Sequence, residues 1–129
     1  MLKYFELISC FLSKKCLFLI MNTINLKIKS KDFDLIKSGV KKNEWRNLSA
    51  YNRKKLLVKN ADGKQEGNQE IKYVIFENGY SADCRKIKIE VTSVKVFRFG
   101  RDIEIPEENF RASEGQFAIQ LALGNIVNN

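Results

Sequence analysis

From Ile24 to Ile28, apolar Ile24, Leu26 and Ile28 alternate with polar Asn25 and Lys27. This period of two predicts a strand with one buried face, and its polar face is basic through Lys27 and Lys29. The period then changes. Phe33, Ile36 and Val40 recur at helical spacing, Ser30 stands in an N-cap position, Asp32 and Asp34 sit in the acidic first turn, and Gly39 ends the run. These features predict a short helix over 31–38. Glu44-Trp45-Arg46 alternates again, so a short strand would put Glu44 and Arg46 on one face and turn Trp45 into the core.

Ser49 is positioned to cap a second short helix running through Leu57, and 60–70, with Gly63 and Gly67, reads as a surface loop. Ile71–Glu77 is apolar at successive positions, which predicts a central strand covered on both faces. Asn78-Gly79 signals a turn. The next strand, 86–99, alternates through Ile87, Ile89 and Val91, then shifts to Val94 and Val96 and again to Phe97 and Phe99. Each slip predicts a bulge or bend of the kind that curls a sheet towards a barrel. Residues 101–113, which hold the only proline, Pro106, read as an acidic connection, and Phe117, Ile119, Leu121 and Leu123 predict a final strand. The expected fold is α+β: five or six strongly curled strands with two short helices near one end.

The chain has 129 residues, 44% of them hydrophobic, enough for one core and one domain. Residues 1–20 are apolar but interrupted by Glu6, Lys14 and Lys15, so no run is long enough to span a bilayer, and no small-residue cleavage site follows. Met21 directly precedes the first patterned strand. The expectation is that Met21 is the natural start and 1–20 an upstream N-terminal extension or loosely attached segment dispensable for folding, with a packed extra helix as the structural alternative, and that 21–129 is the domain.

Charge narrows the chemistry. Lysine and arginine total 23 against 15 acids, a net +8, which favours polyanionic partners. The absence of histidine excludes a His triad, a His general base and imidazole metal ligands. Cys10, Cys16 and Cys84 form no C-x-x-C pair, which argues against a disulfide framework or a zinc site and fits a reducing cytoplasm. No cofactor, metal or membrane partner is expected.

Candidate chemistry gathers at Gly39, Lys41, Glu44 and Arg46, spaced G-x-K-x-x-E-x-R. Arg46 offers a fork suited to phosphate or a base edge, Lys41 a mobile cation, and Glu44 an acceptor for an exocyclic amine. Arg53, Lys54 and Lys55 form a cluster that reads as a solvated helix face or as phosphate contacts. In Asn78-Gly79-Tyr80-Ser81, Tyr80 could stack on a base. On the residues alone, an ion pair of Glu44 with Lys41 or Arg46 that braces the corner, with Tyr80 packed over its turn, is the simpler reading.

Three segments in order change that balance: the helix Phe33-Asp34-Leu35-Ile36-Lys37-Ser38-Gly39 leading into G-x-K-x-x-E-x-R, the strand and turn Phe76-Glu77-Asn78-Gly79-Tyr80-Ser81, and Gly115-Gln116-Phe117-Ala118-Ile119-Gln120-Leu121. With them, Ile24 to Val127 resembles an ASCH domain of the PUA-like superfamily, in the short single-domain form found in phage and mobile-element genomes. The resemblance implies a PUA-like curled barrel. It also implies a cleft between the first helix and the barrel, lined by Lys41, Glu44 and Arg46, that takes RNA or a nucleotide-like ligand. Asn78, Tyr80 and Ser81 would form its second wall, with Arg53 and Lys54 as phosphate contacts. Some similar proteins are amidohydrolases of acetylated cytidine, which use a lysine, a threonine nucleophile and a glutamate. Here Glu44 stands three residues after Lys41, where that threonine would be, and a carboxylate cannot replace the hydroxyl as attacking group without changing the mechanism. An enzymatic alternative is a ribonuclease using Lys41 with Glu44 or Tyr80 as general acid and base.

Overall fold

In the computed structural model, which describes residues 22–127, the chain folds as α+β. β1 is Thr23–Lys27, α1 Ser30–Lys37, β2 Asn43–Arg46, α2 Ala50–Leu56, β3 Leu57–Lys59 and β4 Gln65–Gly67. β5 is Tyr73–Asn78, β6 Arg85–Arg98, β7 Ile103–Ile105, a 3-10 turn Pro106–Glu108, β8 Phe110–Ala112 and β9 Phe117–Val127. The expectation for residues 1–20 lies outside the described residues.

Five strands form one sheet in the order β1-β5-β6-β9-β2, with β1 parallel to β5 and every other neighbour antiparallel. No strand ladder joins β1 to β2 across the open side. The Arg46 guanidinium instead reaches from β2 to the last residue of β1, donating to the Lys27 carbonyl at 2.9 Å. The sheet is therefore curled enough for one side chain to link its two edges.

Leu26, Ile28, Val74, Phe76, Ile89, Val94, Ile119 and Leu121 alternate onto one face and pack with Phe33 and Ile36 of α1 and Leu56 of α2. A smaller cluster of Phe99, Ala112 and Ala118, with Trp45 and Phe110 against it, lies on the other side of β2. Trp45 is thus only partly buried, against this smaller cluster, and it is Glu44 that faces the main core.

The regular helix is 30–37 against the expected 31–38. Ser30 does not cap it: Lys29 is the N-cap, no side-chain cap bond forms, and the Ser30 hydroxyl donates to Asn78 Oδ1 at 3.3 Å. The C-terminus is a Schellman motif, with Gly39 at φ +83° and the N–H groups of Gly39 and Val40 donating to Ile36 and Leu35. Ser49 does cap α2, accepting from the Asn52 N–H at 3.1 Å. That helix stops at Leu56, and Leu57 begins β3.

Four expectations are corrected. Residues 60–70 are not all loop, because β4 pairs with β3, and the Asn60 side chain closes the turn by accepting from the Asp62 and Lys64 N–H groups. β5 is not covered on both faces: Val74 and Phe76 are buried, whereas Tyr73, Ile75 and Glu77 are half-buried. Residues 101–113 fold into the β7–β8 hairpin around the 3-10 turn. Of the two slips expected along β6, register shifts occur only between Ile89 and Ser93; from Ser93 to Arg98 the pairing with β9 is continuous. The shift suits Gly124 on β9, where a Cβ would stand 3.1–3.2 Å from Glu90 and Thr92, and Glu90 accepts from the Asn125 N–H.

Beyond Glu90, the side of β6 turned away from β9 loses β5 as its partner. Gln69 fills the gap: its amide nitrogen donates to the Val94 carbonyl and its oxygen accepts from the Val94 N–H at 3.2 Å. β4 lies so close that a Cβ on Gly67 would stand 1.9 Å from the Val94 carbonyl oxygen. Gly67→Ala is expected to force backbone apart and destabilise the protein by about 1–3 kcal/mol. Urea denaturation checks this, and an unchanged midpoint would contradict the close approach.

Candidate functional site

The helix end sets the site. After the Schellman turn the Lys41 N–H also bonds to Leu35, the chain extends into β2, and β2 pairs with β9 so that Glu44 lies opposite Leu121 on the main core side. Lys41 is 4% and Glu44 5% exposed, so neither is the solvent-facing corner residue the sequence suggests.

Burying both is costly unless each is paired. Lys41 Nζ lies 3.3 Å from Glu44 Oε1 and 3.6 Å from Asp32 Oδ1, and donates to the Glu108 backbone carbonyl. Arg46 Nε donates to Glu44 Oε2 at 2.7 Å while its Nη2 holds Lys27. Each Glu44 oxygen therefore faces a different cation. Burial pushes the Glu44 carboxyl above its ordinary 4.5; Arg46 and Lys41 pull it down, and Asp32 adds to the rise.

The β7–β8 hairpin covers this network. Glu108, 6% exposed, accepts from Asn43 Nδ2 and from Trp45 Nε1, both at 2.7 Å. Trp45 stacks on Phe110 with ring centroids 4.6 Å apart. Asn109, in the left-handed region at φ 51°, donates to Asp32 Oδ1 at 3.2 Å. The turn thus ties to both α1 and β2. A groove of about 290 Å³ between α1 and β9 touches Lys41, Lys42 and Leu123.

The other predicted residues lie apart from this network. Arg53 is exposed on α2, donating to Leu48 and Gln65, and Lys54 is exposed beside it. Asn78 is a turn organiser: its amide donates to the Ile28 carbonyl, and its oxygen accepts from Arg85 and Ser30. Ser81 donates to Asp83 at 2.8 Å. Tyr80 does not pack over its turn but is 89% exposed, with Lys27 Nζ 5.0 Å from the ring centroid. The two groups are joined through Lys27, whose carbonyl takes Arg46 and whose ammonium binds Glu77 and the Gly79 carbonyl.

Sequence reasoning missed Asp32, Asn43 and Glu108 as partners. An acidic residue in an acidic loop carries no local sign of burial, and Asp32 reads equally well as a first-turn helix residue. Among the described residues no cluster of acids and cysteines could hold a metal, and no helix is long and apolar enough to cross a membrane. No family model, curated protein or solved structure matches the chain.

Two carboxylates should show opposite pH dependence. Glu44 is raised, so its stabilising contribution is full below 4.5 and is lost as pH rises through its folded value. Glu77 is lowered, chiefly by its hydrogen bond from Lys27, so its contribution is present above 4.5 and is lost as pH falls through its folded value. Melting temperatures from pH 3 to 8 should show wild type losing ground to Glu44→Gln as pH rises above 4.5, and to Glu77→Gln as it falls below. A pH-independent gap for Glu44→Gln would contradict the role given to burial.

Proposed function

We propose that the chain is an RNA- or nucleotide-binding module of the ASCH type, its curled sheet and Arg46 link being the PUA-like barrel. The observation that carries this reading is the exposed Tyr80 ring with Lys27 beside it and the cationic strand end Arg85–Lys88 following in the chain. Next to it lies a groove of about 570 Å³ whose lining includes Lys37, Arg85, Lys86 and Lys88 and no carboxylate. The net charge of +8 gives the same direction to association.

In this reading the Lys41–Glu44–Arg46 network acts as a brace beside the binding surface. Its cations face Glu44, Asp32 and backbone carbonyls, so the ligand meets the surrounding Lys27, Arg85 and Tyr80. Cysteine usage without a C-x-x-C pair supports a cytoplasmic location in this reading.

One observation favours an enzymatic second reading: Glu44 is a buried carboxyl raised above its ordinary value, paired with Lys41, which lines a groove. There Lys41 and Glu44 would exchange the proton of an RNA hydroxyl or a modified nucleoside.

Binding of labelled RNA at two salt concentrations tests the first reading. Affinity should fall steeply with salt, log K decreasing by roughly 0.7 per phosphate contact for a single strand. No binding at low salt would sink it. Incubating the same protein with RNA and with acetylated cytidine tests the second, and turnover lost in Glu44→Gln would establish it over the first.

A further inference from the structure

Among the described residues each tyrosine carries a lysine ammonium against the ring: Lys88 Nζ is 4.7 Å from the Tyr73 centroid, Lys27 Nζ 5.0 Å from Tyr80, and Lys55 Nζ 5.3 Å from Tyr51. The Tyr73 and Tyr80 pairs are anchored to the side of the sheet where β1, β5 and β6 turn the face opposite the main core, and the Tyr51 pair stands beside it at the outer edge of β1. Lys27 and Asn25 bind Glu77 there, at 2.9 and 3.3 Å, in the register that sets Lys27 opposite Glu77 and Asn25 opposite Ile75. Lys55 reaches the same strand from α2, donating to the Asn25 carbonyl at 2.6 Å. Tyr73 lies on that face at the far end of β5 from Glu77, about 13 Å along the strand at about 3.3 Å per residue.

The chemistry of this face is specific. Tyr80 is 89% and Tyr51 58% exposed, so each ring has open surface beyond the one its lysine covers. On the face Lys27, Lys86 and Lys88 outnumber Glu77 and Glu90, and Lys55 adds a further cation at its β1 edge. Open aromatic faces next to fixed cations complement a chain that alternates flat bases with phosphates, and only a single strand can present its base faces.

We propose that this face is a stacking platform for single-stranded nucleic acid, with Tyr80, Tyr73 and Tyr51 each taking a base and the adjoining lysines meeting the phosphates. It rests on the nucleic-acid reading above and names a surface distinct from the Lys41–Glu44–Arg46 corner. Lys27 is tied to both, since its carbonyl takes Arg46 while its ammonium and Tyr80 belong to the platform.

Fluorescence anisotropy of the full chain with labelled decauridylate at low salt tests it, with a duplex RNA of equal length for comparison. The single strand should bind more tightly. Tyr80→Ala and Tyr51→Ala should each weaken it about 5- to 150-fold, the range of one lost base stack, with an unchanged salt slope. Tyr80→Phe should bind as wild type. Both rings are more than half exposed, so the Ala variants should keep the wild-type circular dichroism spectrum and melting temperature. Photo-crosslinking of 5-iodouridine-substituted decamer, read by mass spectrometry, should label the peptides holding Tyr73 and Tyr80. Decauridylate binding that both Ala variants leave intact, crosslinks confined to residues outside this face, or a duplex preference would overturn the platform while the nucleic-acid reading stands. Failure of both RNAs to bind would overturn the two together.

Discussion

A lysine ammonium in a protein interior must be neutralised, and Lys41 sits where α1, β2 and the β7–β8 hairpin meet. Its partners come from three places in the chain: Asp32 on α1, Glu44 on β2 and the Glu108 carbonyl of the 3-10 turn. Satisfying one charge therefore fixes the relative position of three elements. Glu44 then passes the constraint on through Arg46 to Lys27, so the same network joins the two edges of the sheet. Removing one member of such a buried set leaves an uncompensated charge, at a cost of about 3–5 kcal/mol.

The brace also bears on the proposed binding surface. Lys27 is held by its carbonyl at the corner and by its ammonium at Glu77 and Gly79, and it lies against Tyr80. A binding surface gains affinity when its anchors are already fixed, because less freedom is lost on association. The buried ion network and the exposed aromatic loop are thus two ends of one construction, the first holding the strand on which the second depends.

Elements with a strong period were legible in the sequence. Ile24, Leu26 and Ile28, the Phe33–Ile36 spacing and the alternation to Leu121 all correspond to real elements, whereas Val40 lies beyond the helix and is exposed, and Gly39 marked the turn that aims Lys41 inward. The three-residue strands β3, β4, β7 and β8 were not legible, because three residues contain too little pattern to separate a strand from a loop. The site was half legible. Spacing put Glu44 and Arg46 on one face, and the plain ion-pair reading of the corner describes the contacts found there. Burial was hidden, because it depends on Glu108 folding back over Asn43 and Trp45 from 63–65 positions away. Tyr80 shows the reverse: its exposure depends on a six-residue connection, 79–84, where Asn-Gly alone suggested a tight turn.

The central claim is that Lys41 and Glu44 stabilise the fold as one coupled unit. A double-mutant cycle of Lys41→Met, Glu44→Gln and the double variant, measured by urea denaturation at pH 7, tests it most directly. Lys41→Met should cost several kcal/mol, about 3–5 for a broken buried pair, Glu44→Gln less because burial already disfavours the ionised carboxyl, and the double change markedly less than their sum. Strictly additive losses, or singles within about 0.5 kcal/mol of wild type as for ordinary surface substitutions, would contradict it.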